Sequence, residues 1–263
     1  MTAISTGALG TKQAGHAPLH IHKLGLHDAQ AALRAGFEDW RACRTDGVTL
    51  AFVLPLAAMF VGAVVAAPHF VPFLLPICAG FALLGPAATL WFTALSRAHA
   101  RDADATMEDA AAMFDTPRRL TIQRLGMITV ALFVAWIAIA WGIYEGTLAS
   151  IDSSQPLFVR MFTTSAGWSM IGLGTLAGAV LALLALAMGL FAFPLALDRD
   201  VGTFEAMSAA LRALGHNLPF ALGWGALVTV ALGVGVLPAL LGLTLVMPVL
   251  GHATWHVYRR TFD

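Results

Sequence analysis

Two histidines four residues apart, His252 and His256, are the residues of this chain best spaced for chemistry. On a helix such a pair shares one face, and imidazoles so placed bind a metal or supply a ligand to haem iron. A metal needs a third or fourth ligand, and the available His99, Asp198, Asp200 and His216 are dispersed through neighbouring segments. The competing reading is a pair of interfacial histidines beside Trp255 and Tyr258 that bond to headgroups or backbone. His16, His20, His22 and His27 make a looser group, and the Gly, Ala and Pro around them impose no fixed geometry. Asp198-Arg199-Asp200 is either a latch or ligand corner or, the plainer expectation, a solvated helix end with ion pairing of little worth. No phosphate-binding Gly-rich loop followed by Lys, nucleophile elbow, His-Glu-x-x-His motif or paired intramembrane carboxylates occurs. The chain is read as non-catalytic, with no cofactor expected unless His252 and His256 hold one.

The elements that carry these residues are apolar runs. Six of them, over about residues 49–67, 70–96, 122–144, 167–197, 217–236 and 238–258, each approach or exceed bilayer-spanning length. A span takes roughly 20 mostly apolar residues to cross about 30 Å of hydrocarbon. None has an ionisable residue near its middle, and intramembrane charges are the usual mark of ion paths and proton relays. Composition agrees: 59% of the residues are hydrophobic and 11% charged, and mean hydropathy is +0.78. Soluble domains carry roughly 25% charged residues. Net charge is zero with no basic block, which argues against nucleic acid as a partner. Arginine outnumbers lysine 13 to 2 in an Ala- and Gly-rich chain, a bias of GC-rich bacterial genomes.

Residues 1–27 are polar and lack the apolar core of a signal peptide, so they are read as a flexible His-containing tail before one membrane domain, 28–263. Cys43 precedes the first run and Cys78 lies inside the second, so depth argues against a disulfide between them. With six spans, 14 of the 15 basic residues fall on the side of both termini and Arg160 alone on the other. The positive-inside rule then makes that side cytoplasmic, in a bacterial inner membrane. Trp91, Trp136, Trp141, Trp168, Trp224 and Trp255 fall near span ends or in their outer thirds, as aromatic belts do.

Helical spacing also predicts three short amphipathic helices at that face. Their apolar stripes are Ala29, Leu33, Phe37 and Trp40; Met107, Ala110, Ala111 and Phe114, with Thr106 as N-cap; and Phe204, Met207, Leu211 and Leu214. The fold class is therefore all-α: six transmembrane helices in three hairpins, each preceded by a cytoplasmic interfacial helix. The first and last hairpins share a spacing. Leu75-Pro76, Gly80, Leu83, Pro86 and Arg97 recur as Leu237-Pro238, Gly242, Leu245, Pro248 and Arg259 at one constant offset. Both copies run in the same direction, so the pattern is a parallel repeat. Pro72, Pro76 and Pro86 predict a bent second span. Gly174 with Gly178 and Gly223 with Gly225 are expected at close helix contacts.

From Leu75 onward the chain resembles a family of bacterial integral membrane proteins of unknown function. The residues that carry the resemblance are Gly80-Phe81, Gly85-Pro86, Ser96-Arg97, Pro194-Leu195, Leu197-Asp198-Arg199-Asp200 and the run from Pro248 to Arg260. Some relatives carry the label of putative cytochrome c oxidase subunit. A catalytic haem-copper subunit needs about six histidines at membrane depth, and this chain offers His252 and His256 on one helix. The resemblance thus implies an accessory, assembly or scaffolding component of a membrane complex, possibly respiratory, with the bilayer and complex subunits as partners. The alternatives are a small transporter or lipid-interacting permease near the kinked second and sixth spans, and a haem- or metal-binding protein through His252 and His256.

Overall fold

A computed structural model of the chain describes residues 20–43, 80, 82–102, 106–112, 117–151, 154–236 and 241–262. Most of those residues are helical, and no strand occurs among them. The first expected span (49–67), the start of the second, His16, Cys78, Pro76 and Pro238 lie outside the described residues.

In chain order the helices are α1 (Leu26–Cys43), α2 (Gly85–Ala88), α3 (Leu90–His99), α4 (Met107–Ala112), α5 (Arg119–Thr147), α6 (Leu157–Thr163), α7 (Ser165–Ala187), α8 (Phe193–Asp198), α9 (Thr203–His216), α10 (Leu218–Val236) and α11 (Leu243–Phe262). A π-helical turn, Met188–Ala192, joins α7 to α8. Among the described residues, three helices have the length and hydropathy of a membrane span: Arg119–Thr147, the continuous Ser165–Asp198 and Leu218–Gly235. They match the third, fourth and fifth expected runs closely, because uninterrupted apolar sequence leaves the chain one way to satisfy its backbone in lipid.

Ser165–Asp198 is the centre of the bundle. At 34 residues it is about 51 Å long, more than the roughly 30 Å of a bilayer's hydrocarbon, and its last turns are buried by α3, α9 and α11. Pro194 lacks an N–H and cannot close the helical bond to the preceding turn. The π-helical turn spans that defect, and Gly189 within it lets Pro86 of α2 approach to 3.3 Å of a Cβ at that position. The described part of the second run is broken twice: a turn at Leu84 precedes the short α2, with Pro86 near its start, and a turn at Thr89 separates α2 from α3.

The tryptophans divide. Trp141 and Trp168 are exposed, as a belt requires, but Trp136, Trp224 and Trp255 are buried. Trp136 fills a notch left by two glycines, since a Cβ at Gly80 or Gly178 would stand 3.0 or 3.4 Å from its ring. Of the expected glycine contacts, Gly178 and Gly225 meet neighbours, whereas nothing lies within 4 Å of a Cβ at Gly174 or Gly223.

The three short helices bury part of the expected stripes, Ala29 and Leu33 in α1, Ala110 in α4 and Met207 and Leu214 in α9, but turn other bulky members of them outward. In α1 the buried residues are Ala32 and Gly36, with Ala29 and Cys43 partly buried, while Leu26 and Phe37 are exposed. In α4 Ala110 is buried and Met107 exposed. In α9 Ala206, Ala209, Ala210 and Ala213 go inward and Phe204 stands 88% exposed. Small residues let helix backbones approach closely, and that contact outweighs the area a bulky side chain would bury. At Gly36 the approach is extreme: a Cβ there would lie 2.5 Å from the Ala253 backbone nitrogen.

Candidate functional site

At the arginine-rich end, buried polar side chains gather in two clusters built on α3 and α11. The first centres on Asp198, the last residue of α8. A carboxylate at a helix C-terminus faces the negative end of the helix dipole and needs compensation. Arg97 of α3 supplies it: its Nε donates to Asp198 Oδ1 at 2.9 Å and its Nη2 to the Asp198 carbonyl at 3.3 Å. The Arg97 side chain is 2% exposed. Tyr258 of α11 donates its hydroxyl to Asp198 Oδ2 at 3.0 Å, and the exposed Arg101 stands 3.7 Å from Oδ1. Arg199, next in sequence, donates to the Phe262 carbonyl at 3.2 Å. The Asp-Arg-Asp corner is therefore a junction of three helices, not the solvated helix end expected.

The second cluster joins α1 to α3 and α11. Asp39 Oδ2 accepts from Ser96 Oγ at 2.5 Å and from His256 Nε2 at 2.9 Å. His252 Nδ1 lies 2.8 Å from the same Ser96 hydroxyl. The protons follow from the acceptors. An ionised carboxylate only accepts, so Ser96 and His256 donate to Asp39, and Ser96 then accepts the Nδ1 proton of His252. Burial works to raise the Asp39 carboxyl, but the bonds from His256 and Ser96 and the nearby imidazoles outweigh it and hold it below the ordinary carboxylate value. Burial, and then the Asp39 charge, push the adjacent Cys43 thiol up.

Hydrogen bonds continue the attachment of α1. Asp28 stands 3.4 Å from Arg260. Asn217, between α9 and α10, accepts from the Leu24 amide at 2.7 Å and donates to the His22 carbonyl at 3.0 Å. The His22 amide donates to the Thr261 carbonyl at 2.9 Å. Residues 22–43 are thus strapped along the end of α11. At the start of α4, Thr106 and Asp109 exchange bonds, with Asp109 Oδ2 accepting from the Thr106 amide at 2.7 Å, as the expected cap requires.

The structure places the sequence candidates as follows. His252 and His256 do share a face, and each is bound into the Asp39 cluster, His252 directly to Ser96 and His256 directly to Asp39. His252 is fully buried beside the Phe92 ring, 5.6 Å between centroids, and its Nε2 has no hydrogen-bond partner among the described residues. Asp198 is held by Arg97. Among the described residues no three His, Cys, Asp or Glu side chains are grouped to hold a metal ion. The repeat positions separate: Pro86 and Pro248 are both buried in bends or interiors of helices, but Arg97 is buried in an ion pair while Arg259 is exposed, 5.7 Å over the Trp255 ring. Gly80 faces Phe133 and Trp136, and Gly242 the Gly235 backbone. Asp39 and Asn217 went unnoticed as site residues. Nothing in the sequence marks Asp39 apart from Glu38 except that it lies on the Ala32–Gly36 face.

Residues 74–198 match a family described as predicted integral membrane protein (DUF2189). The match runs from the kinked second segment to Asp198, and so includes the Gly80-Phe81, Ser96-Arg97 and Pro194 to Asp198 residues of the resemblance. It carries no cytochrome c oxidase designation. No curated protein and no solved structure matches the chain.

Proposed function

We propose that this chain, whose residues 74–198 match the DUF2189 family of predicted integral membrane proteins, is a non-catalytic accessory, assembly or scaffolding component of a larger membrane complex. The observation that carries the reading is the orientation of the three short helices. Each turns Ala or Gly inward and leaves a bulky side chain, Leu26 and Phe37, Met107, or Phe204 and Leu211, exposed at one end of the bundle. Apolar groups so placed favour a lipid or protein neighbour over water. The titratable groups of the site, meanwhile, are engaged in holding α1, α3, α8 and α11 together, which is the work of a scaffold.

The reading includes a six-span topology in a bacterial inner membrane with both termini in the cytoplasm, supported by the distribution of arginine. It also takes the Pro76, Gly80, Pro86, Arg97 and Pro238, Gly242, Pro248, Arg259 spacing as a diverged parallel duplication. Reporter fusions after Gly146 and Arg260 should report opposite sides of the membrane; agreement between them would remove the topology. The function is tested by extracting the full chain from its native membrane in mild detergent. A stoichiometric membrane partner is expected, and a clean homo-oligomer would contradict the proposal. The same untagged preparation decides the metal reading of His252 and His256: a Soret band or a bound stoichiometric metal would give that pair the primary role.

A further inference from the structure

The opposite end of the bundle carries a helix that no apolar run announced. α6 lies between α5 and α7, and its single charged residue points the wrong way for a helix in water. Arg160 is 7% exposed, and its Nη1 donates to the carbonyls of Leu148 and Ile151 at 3.1 and 3.2 Å, where α5 ends. A guanidinium at that place satisfies carbonyls that the helix leaves without partners. The outward side carries Phe158, Val159 and Phe162, which are 70%, 42% and 48% exposed. Phe158 and Phe162 are in ring contact at 5.1 Å, and Phe162 meets Trp168 of α7 edge-on at 6.1 Å.

The helix is held in this attitude by a tight corner. Thr164 accepts from the Gly167 amide at 3.0 Å and donates to the Arg160 carbonyl at 2.7 Å. Gly167 packs so closely that a Cβ would stand 2.3 Å from the Met161 carbonyl oxygen. Through the Phe162–Trp168 contact the aromatic side is continuous with the exposed surface of α7, on which Leu173 also stands outward.

We propose that α6 is an in-plane membrane anchor, seated with Phe158, Phe162 and Trp168 in the headgroup–acyl boundary of the leaflet at that end. The occupant is lipid. The side presented is apolar except for the Thr163 hydroxyl, which donates to the Val159 carbonyl; its aromatic content suits the interface, and through Phe162 and Trp168 it extends the exposed apolar surface of α7. This inference rests on the membrane location alone and stands apart from the accessory role.

Depth measurement tests it. A spin label at Phe158→Cys, in a chain also carrying Cys43→Ser and Cys78→Ser, is read in phosphatidylcholine–phosphatidylglycerol vesicles by its collision with oxygen and with a water-soluble nickel chelate. A label at Val134→Cys, on the exposed side of α5, supplies the mid-span reference. The expected depth is about 5–10 Å below the headgroups. Full access to the nickel chelate would overturn the proposal, as would protection from both reagents, which would mean that protein covers the helix. A photoreactive benzoylphenylalanine at Phe158 in the chain with its native cysteines gives an independent reading: lipid adducts support the anchor, and protein-only or absent adducts refute it.

Discussion

Removing the Asp198 carboxylate should be the most damaging single change at the arginine-rich end, and its cost can be ranked against its partner's. In Asp198→Ala, Arg97 keeps its charge at a position where its side chain is 2% exposed, and loses the carboxylate that its Nε meets at 2.9 Å. Tyr258 loses its acceptor as well. Removing one partner of a buried ion pair costs about 3–5 kcal/mol in soluble proteins, and the bond that Arg97 keeps to the main-chain carbonyl of residue 198 places the cost toward the lower end of that range. Arg97→Ala is milder, because Asp198 is 16% exposed, keeps Tyr258 and has Arg101 at 3.7 Å; about 1.5–3 kcal/mol is expected from a lost charged hydrogen bond. Replacing both, as Arg97→Met with Asp198→Leu, removes the desolvation penalty with the attraction and should cost less than Asp198→Ala alone. Unfolding in mixed dodecyl maltoside–dodecyl sulfate micelles, followed by circular dichroism, measures all three. An Asp198→Ala cost below about 1 kcal/mol, or a double variant less stable than Asp198→Ala, would refute the assignment of Asp198 as the buried junction.

Gly36→Leu should detach α1, since the Ala253 backbone at 2.5 Å cannot yield; trypsin cleavage at Arg34 and Arg41 should become fast while the spans stay intact. The contribution of Asp39 has a definite sign with pH. Its folded carboxyl is held below the ordinary value of 3.8, so its stabilisation is complete above that value and fades as pH falls through the lower folded one. Stability measured from about pH 6 downward should show this acid loss below 3.8, and Asp39→Asn should remove it. Gly167→Ala should destabilise by about 2 kcal/mol or more through overpacking at the α6–α7 corner, whereas Gly174→Ala, with nothing within 4 Å, should be neutral or mildly stabilising in the same thermal melt.

The spans from Arg119 to Thr147, Ser165 to Asp198 and Leu218 to Gly235 were legible because continuous apolar sequence needs no tertiary information to declare itself. The docking faces were legible in part. Periodicity finds Leu33, Ala110 and Leu214, which are buried or packed on the core, but it also picks Phe37, Phe204 and Leu211, which stand outward while Gly36, Ala206 and Ala213 make the close contacts. Asp39 acquires its role only from the register of α1 on α11, which places it against Ser96 and His256 from distant parts of the chain. Asp198 was noticed and undervalued for the same reason: its partner Arg97 lies 101 residues earlier. His252 and His256 do share one face, but the carboxylate of their cluster, Asp39, comes from the N-terminal helix and its hydroxyl, Ser96, from α3.

The central claim is that the outward apolar faces of the short helices meet another membrane protein. Phe204, at 88% exposure, is the most direct reporter. A photoreactive benzoylphenylalanine in its place, irradiated in native membranes, should give one dominant adduct with a protein other than a second copy of this chain. Adducts with lipid alone, with a second copy alone, or none would contradict the account.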